Sequence, residues 1–161
     1  MLEKTGIPTS EDIDNIKPDE ERLKEGPVAV IECFKEIPCD PCFYSCPFGA
    51  IKEFEDINDK PELITEKCTG CGNCIASCPG LAIFVVDYNK KTVSLPYEFL
   101  PLPEKGEHVK GLDRGGREVC EAEVVKVRDP KKNDKTAVIT VKVPEEYLME
   151  VRNIEVGDLD E

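Results

Sequence analysis

The sequence predicts an α+β protein with a repeated, cysteine-rich centre, a short helical arm before it and a small β-rich module after it. Three observations carry this. Cys39, Cys42 and Cys46 recur thirty-two positions later as Cys71, Cys74 and Cys78, which marks an internal repeat. Eight of the nine cysteines fall between Cys33 and Cys78. The last third of the chain holds a single cysteine, and there Ala137, Ile139, Val141 and Val143 alternate as in a half-buried strand. The boundaries that follow are 1–27 for the acidic arm, 28–98 for the repeat domain and 99–161 for the β-rich accessory module.

In the arm, Thr9-Ser10-Glu11-Asp12 precedes Ile13 and Ile16 as a helix cap precedes its apolar stripe. Pro18 can open a second helix that stops at Gly26-Pro27. The arm has too few apolar residues to fold alone, so it packs on the next domain or waits for a partner; packing is the preferred reading. In the repeat domain, Val28 to Ile31 supplies a strand before the first cysteine. Each half then shows a hairpin. Ile51 to Phe54 turns toward Glu62-Leu63-Ile64, and Ile83 to Val86 turns at Asp87-Tyr88-Asn89-Lys90 into Thr92 to Leu95. In the last segment Asp113-Arg114-Gly115-Gly116 reads as a hairpin turn, Asp129 to Asp134 as a polar loop after Val124–Val127, and Pro144-Glu145-Glu146 as a helix start.

Composition narrows the partners. The 161 residues include 34 acidic and 21 basic side chains, a formal net charge of −13. That balance argues against nucleic acid, whose phosphates require a basic face, and against an anionic membrane surface. All three segments are acidic, which fits a partner with a basic docking patch. No apolar run approaches the roughly 20 residues of a membrane span, and Met1-Leu2-Glu3-Lys4 begins no apolar signal core. The expectation is a cytoplasmic protein with no membrane insertion. Clustered cysteines without an export signal read as metal ligands rather than disulfides.

The second motif, Cys68-x2-Cys71-x2-Cys74-x3-Cys78-Pro79, has the spacing of a bacterial [4Fe–4S] ligand run. Three cysteines two residues apart wrap a tight loop around one cubane, while the fourth follows on a short helical turn and faces away. Zinc sites instead tend to pair cysteines on separate loops. The first motif, Cys33-x5-Cys39-x2-Cys42-x3-Cys46-Pro47, carries three extra residues within Phe34–Pro38 and keeps the other spacings. The longer loop closes at small entropic cost. The competing reading makes Cys33 a buried strand cysteine and leaves an incomplete or [3Fe–4S] cluster.

On these motifs, residues 28–98 resemble the two-cluster bacterial ferredoxins. The resemblance implies two pseudo-symmetric hairpin-and-helix halves around two [4Fe–4S] clusters. It implies one cluster on Cys33, Cys39, Cys42 and Cys78, and another on Cys68, Cys71, Cys74 and Cys46. The stretch from Ile31-Glu32-Cys33 to Ile37-Pro38-Cys39 also resembles iron–sulfur proteins that accompany flavin-dependent amino- or imino-acid dehydrogenases. Clusters held by four thiolates leave no open iron, so an electron-transfer role without a substrate site of its own is expected. The flanking segments favour a subunit of a multi-subunit oxidoreductase, exchanging electrons with a flavin-containing subunit. A free ferredoxin-type carrier, or a regulatory or assembly protein stapled by its clusters, are the alternatives. A fragment of residues 28–98 is expected to keep its clusters and bind that partner weakly.

The remaining candidates have plain readings. Cys120 shares strand parity with Ala122 and Val124 and reads as a small packed side chain. His108 and Lys131-Lys132 read as surface residues. Phe43, Tyr44 and Phe48 read as core packing that keeps water from the clusters.

Overall fold

Among the described residues seven strands form the frame of the fold, and their burial pattern divides them into two kinds. The structure is a computed structural model that describes residues 10–32, 46–52, 55, 62–78, 82–97, 103–128 and 137–155. The strands are β1 (Val28–Ile31), β2 (Ile83–Asp87), β3 (Thr92–Tyr97), β4 (His108–Leu112), β5 (Glu118–Arg128), β6 (Ala137–Lys142) and β7 (Asn153–Glu155). They form one antiparallel sheet in the order β1-β2-β3-β6-β5-β4-β7. Strand β4 alternates exposed and buried side chains, as a strand with one wet face must. By contrast, β1 and β2 are buried at every position, so both faces are covered there.

The two covered faces are distinct. Side chains alternate across a strand, and Val28, Val30, Phe84 and Val86 join the main core with Leu95, Val109, Val124 and Ile139. Ala29, Ile31, Ile83 and Val85 point the other way, into a smaller core with Ile51, Ile75 and Cys74. The described cysteine segments, 46–51 and 68–78, therefore lie against the outer face of β1 and β2.

The hairpin readings hold where they can be seen. Strands β2 and β3 join through a turn in which the Asp87 carboxylate accepts from the Asn89 and Lys90 amides at 3.0 and 3.2 Å. Asp113 does the same in the β4–β5 turn, accepting from Gly115 and Arg117 at 2.9 Å. Of the first-half hairpin, the described part is an antiparallel bridge from Ile51 to Leu63. Pro144 leads into a single 3-10 turn, Glu145–Tyr147, rather than a helix. The Asp129–Asp134 loop and Lys131-Lys132 lie outside the described residues.

The sheet crosses the boundary expected between the repeat domain and the last segment. Strand β3 pairs along its whole length with β6, from Thr92 opposite Lys142 to Tyr97 opposite Ala137. Strand β5 is long enough to serve two neighbours: Glu118–Glu123 pairs with β4 and Glu123–Arg128 with β6, with register shifts between Gly111/Leu112 and Val124/Lys126. Such bulges bend a sheet. They carry the β4–β5 turn back to the end of β1, where Glu32 receives both Arg114 (2.8 Å from Nε and from Nη2) and Arg152 Nε at 2.6 Å. Burial alone would raise the Glu32 pKa; hydrogen bonds and charge from the two guanidiniums outweigh it and hold the carboxyl below the usual range. Arg152 also lies over the Phe84 ring, 5.0 Å from its centre.

The arm packs on this sheet. Helix α1 (Ser10–Ile16) is followed by α2 (Glu20–Lys24), which is capped by the Asp19 carboxylate accepting from the Arg22 amide at 2.8 Å. Leu23 enters the main core at 4% exposure. Among the described residues, no helix is long and apolar enough to cross a membrane.

Candidate metal centre

The loop from Cys68 to Cys78 is shaped by glycine. Gly70 and Gly72 have φ of +73° and +81°, the left-handed region that side chains resist. At Gly70 the surroundings also exclude a Cβ, which would stand 2.8 Å from the Pro27 carbonyl carbon. Gly72 opens the five-residue helix α3 (Asn73–Ser77), which carries Cys74 inward, and Cys78 ends it in extended backbone. On the facing segment, Cys46 leads into a turn through Pro47 and Phe48 to Gly49, at φ +62°.

These segments bring Cys46, Cys68, Cys71 and Cys74 around one cavity, backed by Ala29, Ala50, Ile51, Leu63 and Val85. It encloses about 330 Å³ of non-atom space, part of it open to solvent. Cys74 is buried, Cys46 and Cys68 are half-buried, and Cys71 is exposed. Cys78 does not line this cavity. Its sulfur accepts from the Ala82 amide at 3.4 Å, just as the Cys46 sulfur accepts from Ala50 at 3.3 Å, the fourth residue on in each half of the repeat. The Cys68 sulfur accepts from the Ala29 amide of β1 at 3.4 Å. Cys33, Cys39 and Cys42 lie outside the described residues.

The donor set fits an iron–sulfur cluster. Burial first, and then the nearby charges of Cys68, Cys71 and Cys46, push the Cys74 thiol up to about 12. Four thiolates gathered in one apolar site therefore need a cationic core to keep them ionised. Among the described residues, no three Cys, His, Asp or Glu side chains converge on a point suited to a single ion. The four cysteines instead line one cavity.

Three features escaped the sequence reading. Phe48 lines the cavity but is 49% exposed, at its mouth rather than in the core. Phe43 and Tyr44 lie outside the described residues. Arg22 of α2 donates to the Cys68 carbonyl at 2.7 Å, and Arg128 of β5 donates to the Cys71 carbonyl at 2.9 Å. Both arginines come from the flanking segments, and backbone acceptors leave no mark in a sequence. Cys120 sits opposite Gly111, half-buried, its thiol pushed up by burial and by Glu118 and Glu150. His108 is a surface residue, 3.3 Å from Glu121.

Comparison with known proteins bears on the same segment. Residues 32–89 match the model of the LdpA Fe-S cluster-binding domain. A stretch of 47 residues is 47% identical to a subunit of the ion-translocating oxidoreductase complex of Methanosarcina acetivorans, covering 29% of this chain and 17% of that protein. A stretch of 61 residues is 36% identical to the pyruvate synthase subunit PorD of Methanocaldococcus jannaschii, covering 38% of this chain and 69% of that one. No solved structure matches the chain.

Proposed function

The chain belongs to the iron–sulfur family that includes the pyruvate synthase subunit PorD, and from that premise we propose that it holds two [4Fe–4S] clusters and passes electrons as a subunit of a larger oxidoreductase. One cluster is held by Cys46, Cys68, Cys71 and Cys74; the other is held by Cys33, Cys39, Cys42 and Cys78. The observation that carries the reading is Cys46: it belongs to the first half of the repeat, yet it lines a cavity with three cysteines of the second. When bound, each cluster supplies one-electron chemistry and no open metal position.

The chain's own residues then have separable tasks. Buried Cys74 and the apolar wall of β1 and β2 keep water from one side of the cavity, while exposed Cys71 is the side from which an electron leaves or enters. The amides of Ala29, Ala50 and Ala82 donate to cysteine sulfurs, and such bonds help set the potential. Both relatives are named as subunits of larger assemblies, which favours a subunit over a free carrier. A flavin-containing subunit is the partner proposed. Anaerobic protein is expected to contain about eight irons and eight sulfides per chain and to co-purify with a flavoprotein through gel filtration in moderate salt. Zinc without sulfide contradicts the cluster reading, and a loaded protein that elutes alone contradicts the subunit reading.

A further inference from the structure

We propose that Arg22 is the fixed counter-charge of the cluster held by Cys46, Cys68, Cys71 and Cys74, and the residue that positions Cys68. This rests on the two-cluster reading above. Arg22 stands on α2, forty-six residues from Cys68 in sequence. Its guanidinium is directed at four backbone carbonyls: Nε donates to Thr65 at 2.8 Å, Nη1 to Gly26 at 3.3 Å, and Nη2 to Pro27 at 2.9 Å and to Cys68 at 2.7 Å. The residue is buried, at 9% exposure.

Among the described residues, no carboxylate pairs with that guanidinium. The carboxylate of Asp19, the N-cap of its helix, serves the Arg22 backbone amide instead. Buried charges are ordinarily paired, and carbonyls offer only partial negative charge. Arg152, the other buried arginine, has Glu32 at 2.6 Å. What Arg22 faces is the Cys68 end of the cysteine loop. A cubane with four thiolates carries roughly −2 and gains one negative charge when it takes an electron. A buried positive charge held beside it favours the reduced form and steadies the first ligand. Arg128 touches the same loop through an exposed contact, where water screens its charge.

The test is a dithionite titration of full-length, anaerobically reconstituted protein, followed by EPR. The signal of interest is the one abolished by Cys46→Ala. Arg22→Gln is expected to weaken reduction of that cluster about tenfold, ~59 mV for a one-electron couple, and to leave the other within about twofold. Arg22→Lys keeps the charge and is expected to stay within about threefold of wild type. Leu23→Ala loosens the same helix without touching the charge and is expected to leave the potential in place. The proposal is overturned by an iron-replete Arg22→Gln protein with wild-type potential. A Lys variant as shifted as the Gln variant overturns it too, as does an equal shift from Leu23→Ala. Should the Gln variant fail to load, the Lys variant decides: full loading at wild-type potential upholds the proposal, and loss of the cluster or a tenfold shift overturns it. A wild-type protein with no reversibly reduced cluster overturns the underlying reading as well, whereas the variant outcomes bear on Arg22 alone.

Discussion

Gly70 concentrates the demands placed on the cysteine loop. Its φ of +73° would strain any side chain, and the Pro27 backbone stands where a Cβ would go. Gly49, beside the other contributing cysteine, has φ +62° but nothing within 4 Å of its Cβ position. The pair separates strain from contact. Gly49→Ala is expected to cost about 1–2 kcal/mol from the backbone conformation alone, and Gly70→Ala more, because Pro27 cannot swing aside like a flexible side chain. Denaturant unfolding of the two variants checks this, and equal losses would show that the Pro27 contact carries no weight. At this scale the sequence is informative about cysteines and turn residues, whose chemistry is local. It is silent on Arg22, Arg114, Arg128 and Arg152, whose partners are carbonyls or a distant carboxylate. An aromatic beside a cysteine suggests core, whereas the Pro47–Gly49 turn holds Phe48 at the cavity mouth.

Among the elements, the β3–β6 ladder changes what the flanking segments are for. Alternation and turn residues make β2, β3 and β6 legible one by one, but nothing local to Thr92–Tyr97 says that its partner lies at Ala137–Lys142. The sequence alone suggests that residues 28–98 would keep their clusters without the rest. The shared sheet reverses that expectation. Removing β6 exposes Val93 and Leu95, both fully buried, and each such side chain is worth about 1.5–3 kcal/mol. Removing the arm takes away Leu23 and the clamp of Arg22. Glu32 would lose both of the arginines that hold its carboxylate. Against a total stability of about 5–15 kcal/mol, the 28–98 fragment is expected to show no cooperative unfolding and to retain under half the iron of the full chain. A fragment that loads fully and melts cooperatively would return the flanks to the role of partner contacts.

In the molecule as a whole, one sheet carries the cysteine-lined cavity and joins the flanking segments to it, and the chain is acidic throughout. The net charge of −13 disfavours phosphate backbones and suits a basic docking face. Arm and module grip the second cysteine loop directly, through Arg22 and Arg128. The central claim is the exchange of ligands between the halves of the repeat, and spectroscopy of three single variants tests it most directly. Cys46→Ala, Cys71→Ala and Cys39→Ala are each reconstituted anaerobically and compared by EPR of the reduced protein. Cys46→Ala is expected to lose or alter the same cluster signal as Cys71→Ala and to leave intact the one that Cys39→Ala removes. If Cys46→Ala instead matches Cys39→Ala, the ligands do not cross, and the central claim is wrong.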